Sequence, residues 1–153
     1  GAIGVIGFSL GAATSIITAS HSNQIKCLIA VSAPTAFEKI EYHFWDLDVE
    51  NDIFYNLFGH GIIGKGIRPG PLWLKKDKPL DCVEKITCPV LFLHGEKDWL
   101  IWPWHSEALY KKTKSQKKVV IIKGGLHAEF LMRKHKQEFL QHIHDWLKVH
   151  LDQ

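Results

Sequence analysis

Little in this sequence marks a specialised class. Its 153 residues include three cysteines, Cys27, Cys82 and Cys88. An odd count without regular spacing argues against a disulfide framework and for a reducing compartment. Cys27 lies in the apolar run Cys27-Leu28-Ile29-Ala30-Val31 and reads as buried and inert, and a Cys82–Cys88 bridge is not expected. No secretory signal pattern and no apolar run long enough to span a bilayer is present, so a cytoplasmic protein without a membrane segment is expected. Neither charge sign dominates: 19 Lys and Arg against 16 Asp and Glu give a net charge of +3. The densest basic stretch, Lys111-Lys112-Thr113-Lys114-Ser115-Gln116-Lys117-Lys118, reads as a solvated turn, and no nucleic-acid-binding signature accompanies it. Internal repeats and low-complexity tracts are missing. So is an initiating methionine: the chain opens inside a strand-like run, which suggests a fragment of a longer protein.

What is present is an ordinary globular balance, with 46% hydrophobic and 23% charged residues. The length suits one domain, residues 1–153. Four near-continuous apolar runs, about Ala2–Phe8, Lys26–Ser32, Val90–His94 and Val119–Ile122, read as strands buried on both faces. Helical segments alternate with them at about Leu10–Ser20, Trp104–Lys114 and Glu129–His150. In the last, Phe139, Ile143, Trp146, Leu147 and Leu151 keep a helical period and define a buried face. The pattern predicts an α/β domain: a parallel sheet with helices on both faces. Residues 35–81 break it. They are rich in aromatics and then glycine, and read as a cap or lid insertion, with an ordinary helical packing element as the equal alternative.

Gly7-Phe8-Ser9-Leu10-Gly11 sits between the first strand and the first helix. A serine on such a sharp turn stands above the sheet edge, where a substrate carbonyl can reach it. Gly7 and Gly11 are expected to be required, because a Cβ at either would crowd the turn. The Leu10 N–H, at the helix N-terminus, points toward a developing oxyanion. A serine hydroxyl needs a base, and the base needs an acid partner. Asp98 follows the third strand in His94-Gly95-Glu96-Lys97-Asp98, with Glu96 a weaker rival. His127 follows the fourth in Gly124-Gly125-Leu126-His127. Ser9, Asp98 and His127 thus each follow a buried strand, on the same edge of a parallel sheet. Trp99, Trp102 and Trp104 flank the acid loop. Trp99 and Trp102 are candidates for lining an acyl pocket, with packing of the loop an equal alternative.

These three segments resemble those of the α/β-hydrolase superfamily, and the resemblance runs from Ala2 to the end of the last helix. Around Arg68-Pro69-Gly70-Pro71 and Trp104-His105-Ser106 the chain is most similar to bacterial esterases, serine aminopeptidases and dienelactone-hydrolase-like proteins. The resemblance implies a serine hydrolase with Ser9 as nucleophile, Asp98 as acid, His127 as base and Leu10 N–H as one oxyanion donor. It also implies a small-molecule acyl substrate and no cofactor or metal. It makes this chain the C-terminal, four-strand half of the family's eight-strand sheet, with 35–81 in the cap position. The other half would carry the second oxyanion donor, and the edge of strand 2–8 would be left open to self-association. Two rival readings remain: a catalytically incomplete fragment or pseudoenzyme with a binding role, and an acyltransferase using the same three residues.

Other patterns in the sequence fall short of a site. Gly59-His60-Gly61-Ile62-Ile63-Gly64-Lys65-Gly66 nearly matches a phosphate-binding loop, but Gly66 replaces the Mg²⁺-binding hydroxyl and Pro69 and Pro71 oppose the following helix. His142 and His144, two apart on a helix, point to different faces and cannot share an ion well. His94, ending a strand, reads as a packed histidine.

Overall fold

The structure, a computed structural model, describes residues 1–36 and 77–151. Four strands, β1 (Ile3–Phe8), β2 (Ile25–Val31), β3 (Val90–Gly95) and β4 (Lys117–Ile122), form one sheet in the order β1-β2-β3-β4, with every neighbouring pair parallel. Between them run α1 (Leu10–Ser20), the short α2 (Pro79–Cys82) with a 3₁₀ turn at Val83–Lys85, and α3 (Trp104–Lys112). After β4 come a 3₁₀ turn (Ala128–Phe130), α4 (Leu131–Lys134) and α5 (Lys136–Leu151).

The apolar runs alternate between two buried layers, as the period of a strand requires. Leu28, Ala30, Val90 and Phe92 meet α1, the Val83–Lys85 turn and α3 through Ala12, Ile16, Val83 and Leu109. Cys27, Ile29, Val31, Leu91 and Leu93 meet α4 and α5 through Leu131, Phe139, Ile143 and Trp146. Both faces of the sheet are therefore covered, as the run lengths predict. Register aligns Phe8, Val31, Leu93 and Val120 across the four strands, so the loops that follow leave from one edge. β1 stands at the end of the sheet, with Ile3 and Ile6 exposed.

Some boundaries differ from expectation. β4 begins at Lys117 because the lysine is satisfied there: its Nζ donates to the carbonyls of Tyr110 (2.9 Å) and Thr113 (2.7 Å) and lies over the Tyr110 ring. α3 stops at Lys112, where Thr113 turns extended and its hydroxyl donates to Leu109 O at 2.8 Å. The expected single terminal helix is divided at His135. His135 leaves helical geometry there, with φ −121° and ψ 27°. The expected buried face of α5 is present, with Leu147 and Leu151 packed at its margin. All three cysteines are buried and free, and no Cys82–Cys88 bridge forms. Burial pushes the Cys27 thiol up, and burial together with neighbouring Cys27 pushes Cys88 up to about 11.

Most of the 35–81 segment, including the glycine-rich loop and the near-match to a phosphate loop, lies outside the described residues. Its two ends meet: Leu80 N–H donates to Thr35 O at 3.0 Å. Among the described residues no helix is long and apolar enough to cross a membrane.

Candidate active site

The β1–α1 turn presents Ser9 by sterics. Ser9 has φ 51° and ψ −116°, a region non-glycine residues rarely occupy. The strained backbone is held on both sides, with Ser9 N–H donating to Val31 O at 2.9 Å and Ser9 O accepting from Ala12 and Ala13 N–H at 3.0 and 3.1 Å. Gly7 is needed for this approach: a Cβ there would lie 2.5 Å from Gly11 O, 2.6 Å from Ser15 Oγ and 2.7 Å from Ala12 Cα. The expectation for Gly11 is corrected. A Cβ at Gly11 meets no described atom within 4 Å, because the residue sits on the outer side of the first helical turn. Leu10 is the first residue of α1, so its N–H belongs to the unpaired amides of a helix start, and no described residue accepts it.

The loops after β3 and β4 are built against each other. Gly95 and Gly125 cross so closely that a Cβ on Gly95 would strike the carbonyl oxygens of Leu126 and Gly125, and one on Gly125 would lie 2.5 Å from Leu131 Cδ2. Lys97 N–H donates to Gly125 O (2.8 Å) and Glu96 N–H to Ile122 O (2.9 Å). Gly124 takes the left-handed φ of 68° that turns the chain out of β4. The Glu96 carboxylate accepts from Gly124 N–H at 2.8 Å and is used up in joining the loops.

This crossing brings the three residues that the sequence singles out within hydrogen-bonding reach. Ser9 Oγ–H donates to His127 Nε2 at 3.0 Å. His127 Nδ1–H donates to Asp98 Oδ2 at 2.8 Å and Oδ1 at 3.0 Å. The Asp98 side chain is fully buried and that of His127 nearly so. Asp98 Oδ1 also accepts from the Leu100 and Ile101 N–H groups at 3.0 and 2.8 Å. Burial by itself would push the Asp98 carboxyl up. Hydrogen bonds from His127 and His94, the charge of His127 and the Ile101 N–H outweigh it and hold the carboxyl well below the usual carboxylate range. The pair can therefore keep a proton on His127 Nδ1 and leave Nε2 to accept from the serine hydroxyl.

Two further residues, to which the sequence assigns no role at the site, support this arrangement. Ser32, just beyond β2, is fully buried with φ 51°, and its Oγ accepts from Ala128 N–H at 3.0 Å. It fixes the backbone next to His127. His94 is packed, as expected, but also lies against Asp98, its Nε2 3.2 Å from Oδ2. Only pairwise distance could have revealed either. Of the tryptophans, Trp99 is about half exposed with its ring centroid 6.5 Å from that of His127, and Trp102 is about half exposed further along the loop. Trp104 stacks on buried His105 at 3.7 Å, and His105 Nδ1 accepts from Thr35 N–H at 3.1 Å.

Among the described residues one group has metal-ligand types: His21, Asp77 and Cys82 bring one ligand atom each within 4.8 Å of one another. It lies at the far end of α1 from Ser9, with His21 and Asp77 exposed. A surface depression of about 570 Å³ beside α4 and α5, bordered by Arg133, Leu140 and His144, includes none of the three site residues.

A parallel sheet covered on both faces, with a strained serine turn and a histidine–aspartate pair on one edge, defines the α/β-hydrolase superfamily, and solved members share the fold. The esterase Pf2001 of Pyrococcus furiosus superposes with a TM-score of 0.78 at 21% identity, over 97% of this chain and 54% of that one. The acylaminoacyl peptidase of Pyrococcus horikoshii gives 0.68 at 17%, over 95% and 23%. Est1E of Butyrivibrio proteoclasticus, solved with ferulic acid bound, gives 0.68 at 21%, over 100% and 61%. Residues 2–128 match the model of the serine hydrolase (FSH1) family, and the chain belongs to that family. It is 30% identical over 162 residues to YqkD, an uncharacterized protein of Bacillus subtilis strain 168, covering 95% of this chain and 50% of YqkD. The chain thus spans about half the length of that relative.

Proposed function

We propose that this chain carries the nucleophile, base and acid of a serine hydrolase that cleaves a carboxylic ester through an acyl-enzyme on Ser9. The observation that supports this best is the continuous line of contacts from Ser9 Oγ through His127 to buried Asp98, at 3.0 and 2.8 Å. In this reading His127 Nε2 takes the hydroxyl proton as Ser9 Oγ attacks the substrate carbonyl. Asp98 stays ionised and stabilises the imidazolium that forms. The Leu10 N–H donates to the oxyanion at the start of α1, where the helix dipole adds to it. His127 then gives its proton to the leaving alcohol, and the ester C–O bond breaks. Water, deprotonated by the same nitrogen, releases the acid and restores Ser9. Trp99, beside His127, and Trp102 would form one apolar wall of the acyl pocket. No step uses a metal or cofactor.

Membership of a serine hydrolase family supports the reaction class, and the esterases and acylaminoacyl peptidase among the structural neighbours carry acyl-transfer chemistry on the same fold. The test is labelling with a fluorophosphonate probe, read by intact mass. The expected result is one phosphonyl adduct, lost in Ser9→Ala. Labelling that survives Ser9→Ala, or a folded, full-length parent protein that does not label, overturns the proposal. A parent that labels while this chain alone does not would assign the activity to the longer protein. Added alcohol or amine, with the products analysed, separates hydrolysis from acyl transfer.

A further inference from the structure

Asp98 Oδ1 has two backbone donors, whereas Oδ2 faces only side chains, His127 on one side and His94 on the other. His94 is fully buried at the end of β3. Its Nε2 faces two groups that can only accept, the Ile101 carbonyl oxygen at 2.6 Å and Asp98 Oδ2 at 3.2 Å. This nitrogen must therefore carry a proton. In the neutral ring Nδ1 is an acceptor, and it takes the hydroxyl proton of buried Ser106 at 2.6 Å. Each polar atom of the imidazole is then matched, and Ser106 seats the ring from the side opposite the carboxylate.

We infer that His94, held by Ser106 of α3, is a positioning residue for Asp98, its Nε2–H fixing the acid loop so that Oδ2 stays aimed at His127. This deepens the proposed function and rests on Asp98 being the acid partner of His127. The geometry gives His94 two attachments on that loop at once: the carboxylate itself and the carbonyl of Ile101, three residues on. With Ile101 N–H also bonded to Oδ1, the Asp98–Ile101 segment closes into a ring of hydrogen bonds that His94 completes. Removing the N–H would leave a buried carboxylate oxygen and a buried carbonyl each short of a donor. The acid could then turn away from His127 without losing its backbone bonds.

The two amide side chains closest to histidine in shape separate positioning from simple filling of space. A glutamine amide reaches the place of Nε2 and can donate to both acceptors. An asparagine amide reaches only the place of Nδ1 and keeps only the Ser106 bond. Two readouts are followed on the same proteins: the rate of Ser9 phosphonylation by a fluorophosphonate, and the far-downfield proton resonance of the His127 Nδ1–H bonded to Asp98. For His94→Asn the expected result is roughly a ten- to hundredfold slower labelling and loss of the resonance. His94→Gln should stay within about threefold of the parent and keep the resonance. If Asn and Gln behave alike, whether both normal or both impaired, the inference is overturned. If the unsubstituted full-length protein does not label, the hydrolase reading fails on its own account, and the resonance still decides for or against His94 by the same contrast. Should His94→Asn not fold, Ser106→Ala removes the hydroxyl that seats the ring at Nδ1 and loosens its hold on the acid loop. It should slow labelling and broaden the resonance, and an unchanged Ser106→Ala protein overturns the inference.

Discussion

The turn that carries Ser9 and the paired loops that carry Asp98 and His127 end on the same sheet edge but are held there in different ways. The Ser9 turn is local. Five consecutive residues, one forced backbone conformation and the missing Cβ of Gly7 determine where the hydroxyl stands. The other two residues stand 29 positions apart and are held by long-range contacts: the Gly95–Gly125 crossing, Lys97 N–H on Gly125 O and Ser32 Oγ on Ala128 N–H. Under the proposed function this contrast has a reason: a nucleophile must be exposed to its substrate, so its placement has to come from backbone geometry, whereas an acid partner works by being buried, so packing and hydrogen bonds from distant elements can hold it.

The largest effect that tests this contrast is expected from Asp98→Asn. Under the proposed mechanism it misdirects the His127 proton, and turnover or labelling should fall about 10⁴-fold while Ser9 stays in its turn. A loss below tenfold would mean that the Ser9 turn works without its partners. The same variant has a pH signature. Because the folded carboxyl is held below its ordinary range, ionised Asp98 stabilises the fold fully above the unfolded value of about 3.9. That contribution should fade as pH drops below this value toward the lowered one. Urea unfolding should therefore show a parent-minus-variant difference that is flat from neutral pH down to about 5 and shrinks below about 4.

Next in size is Gly95→Ala. The new methyl meets backbone carbonyls that cannot move without separating the two loops, so a loss of about 3 kcal/mol in denaturant stability is expected. A cost under 1 kcal/mol would show that the crossing is looser than its contacts imply. The smallest effect is expected from Gly11→Ala on the Ser9 side. With open space around its Cβ among the described residues, alanine should stabilise α1 by about 0.5 kcal/mol, read as a small rise in Tm. Destabilisation instead would return Gly11 to the role the motif suggests for it.

The same contrast explains what could be read from sequence. Ser9 is legible because its turn imposes a local pattern, and the four strands because burial on both faces leaves continuous apolar runs. Asp98 and His127, expected as an acid–base pair, are legible by order and by their place after strands, whereas the loop crossing that brings them together is not. Gly95 and Gly125 stand in the sequence as turn formers, while their closer role, contact with each other, needs the third dimension. Ser32 leaves no trace and His94 only its packing, since a buried serine or histidine acquires its further meaning from residues 96 and 12 or fewer positions away that no local pattern relates to it. The division of the last helix at His135 is equally hidden. No glycine or proline marks it.

The bond from Leu80 N–H to Thr35 O has a consequence for how such a domain changes over time. The chain leaves the sheet layer and rejoins it at a single point. The entropy of closing a loop at a fixed point grows only with the logarithm of its length, about 0.6 kcal/mol for each doubling. The number of residues spent between Thr35 and Leu80 is thus nearly decoupled from the stability of the four strands. A lineage can lengthen, shorten or exchange that stretch while the sheet edge that aligns the three residues is inherited intact.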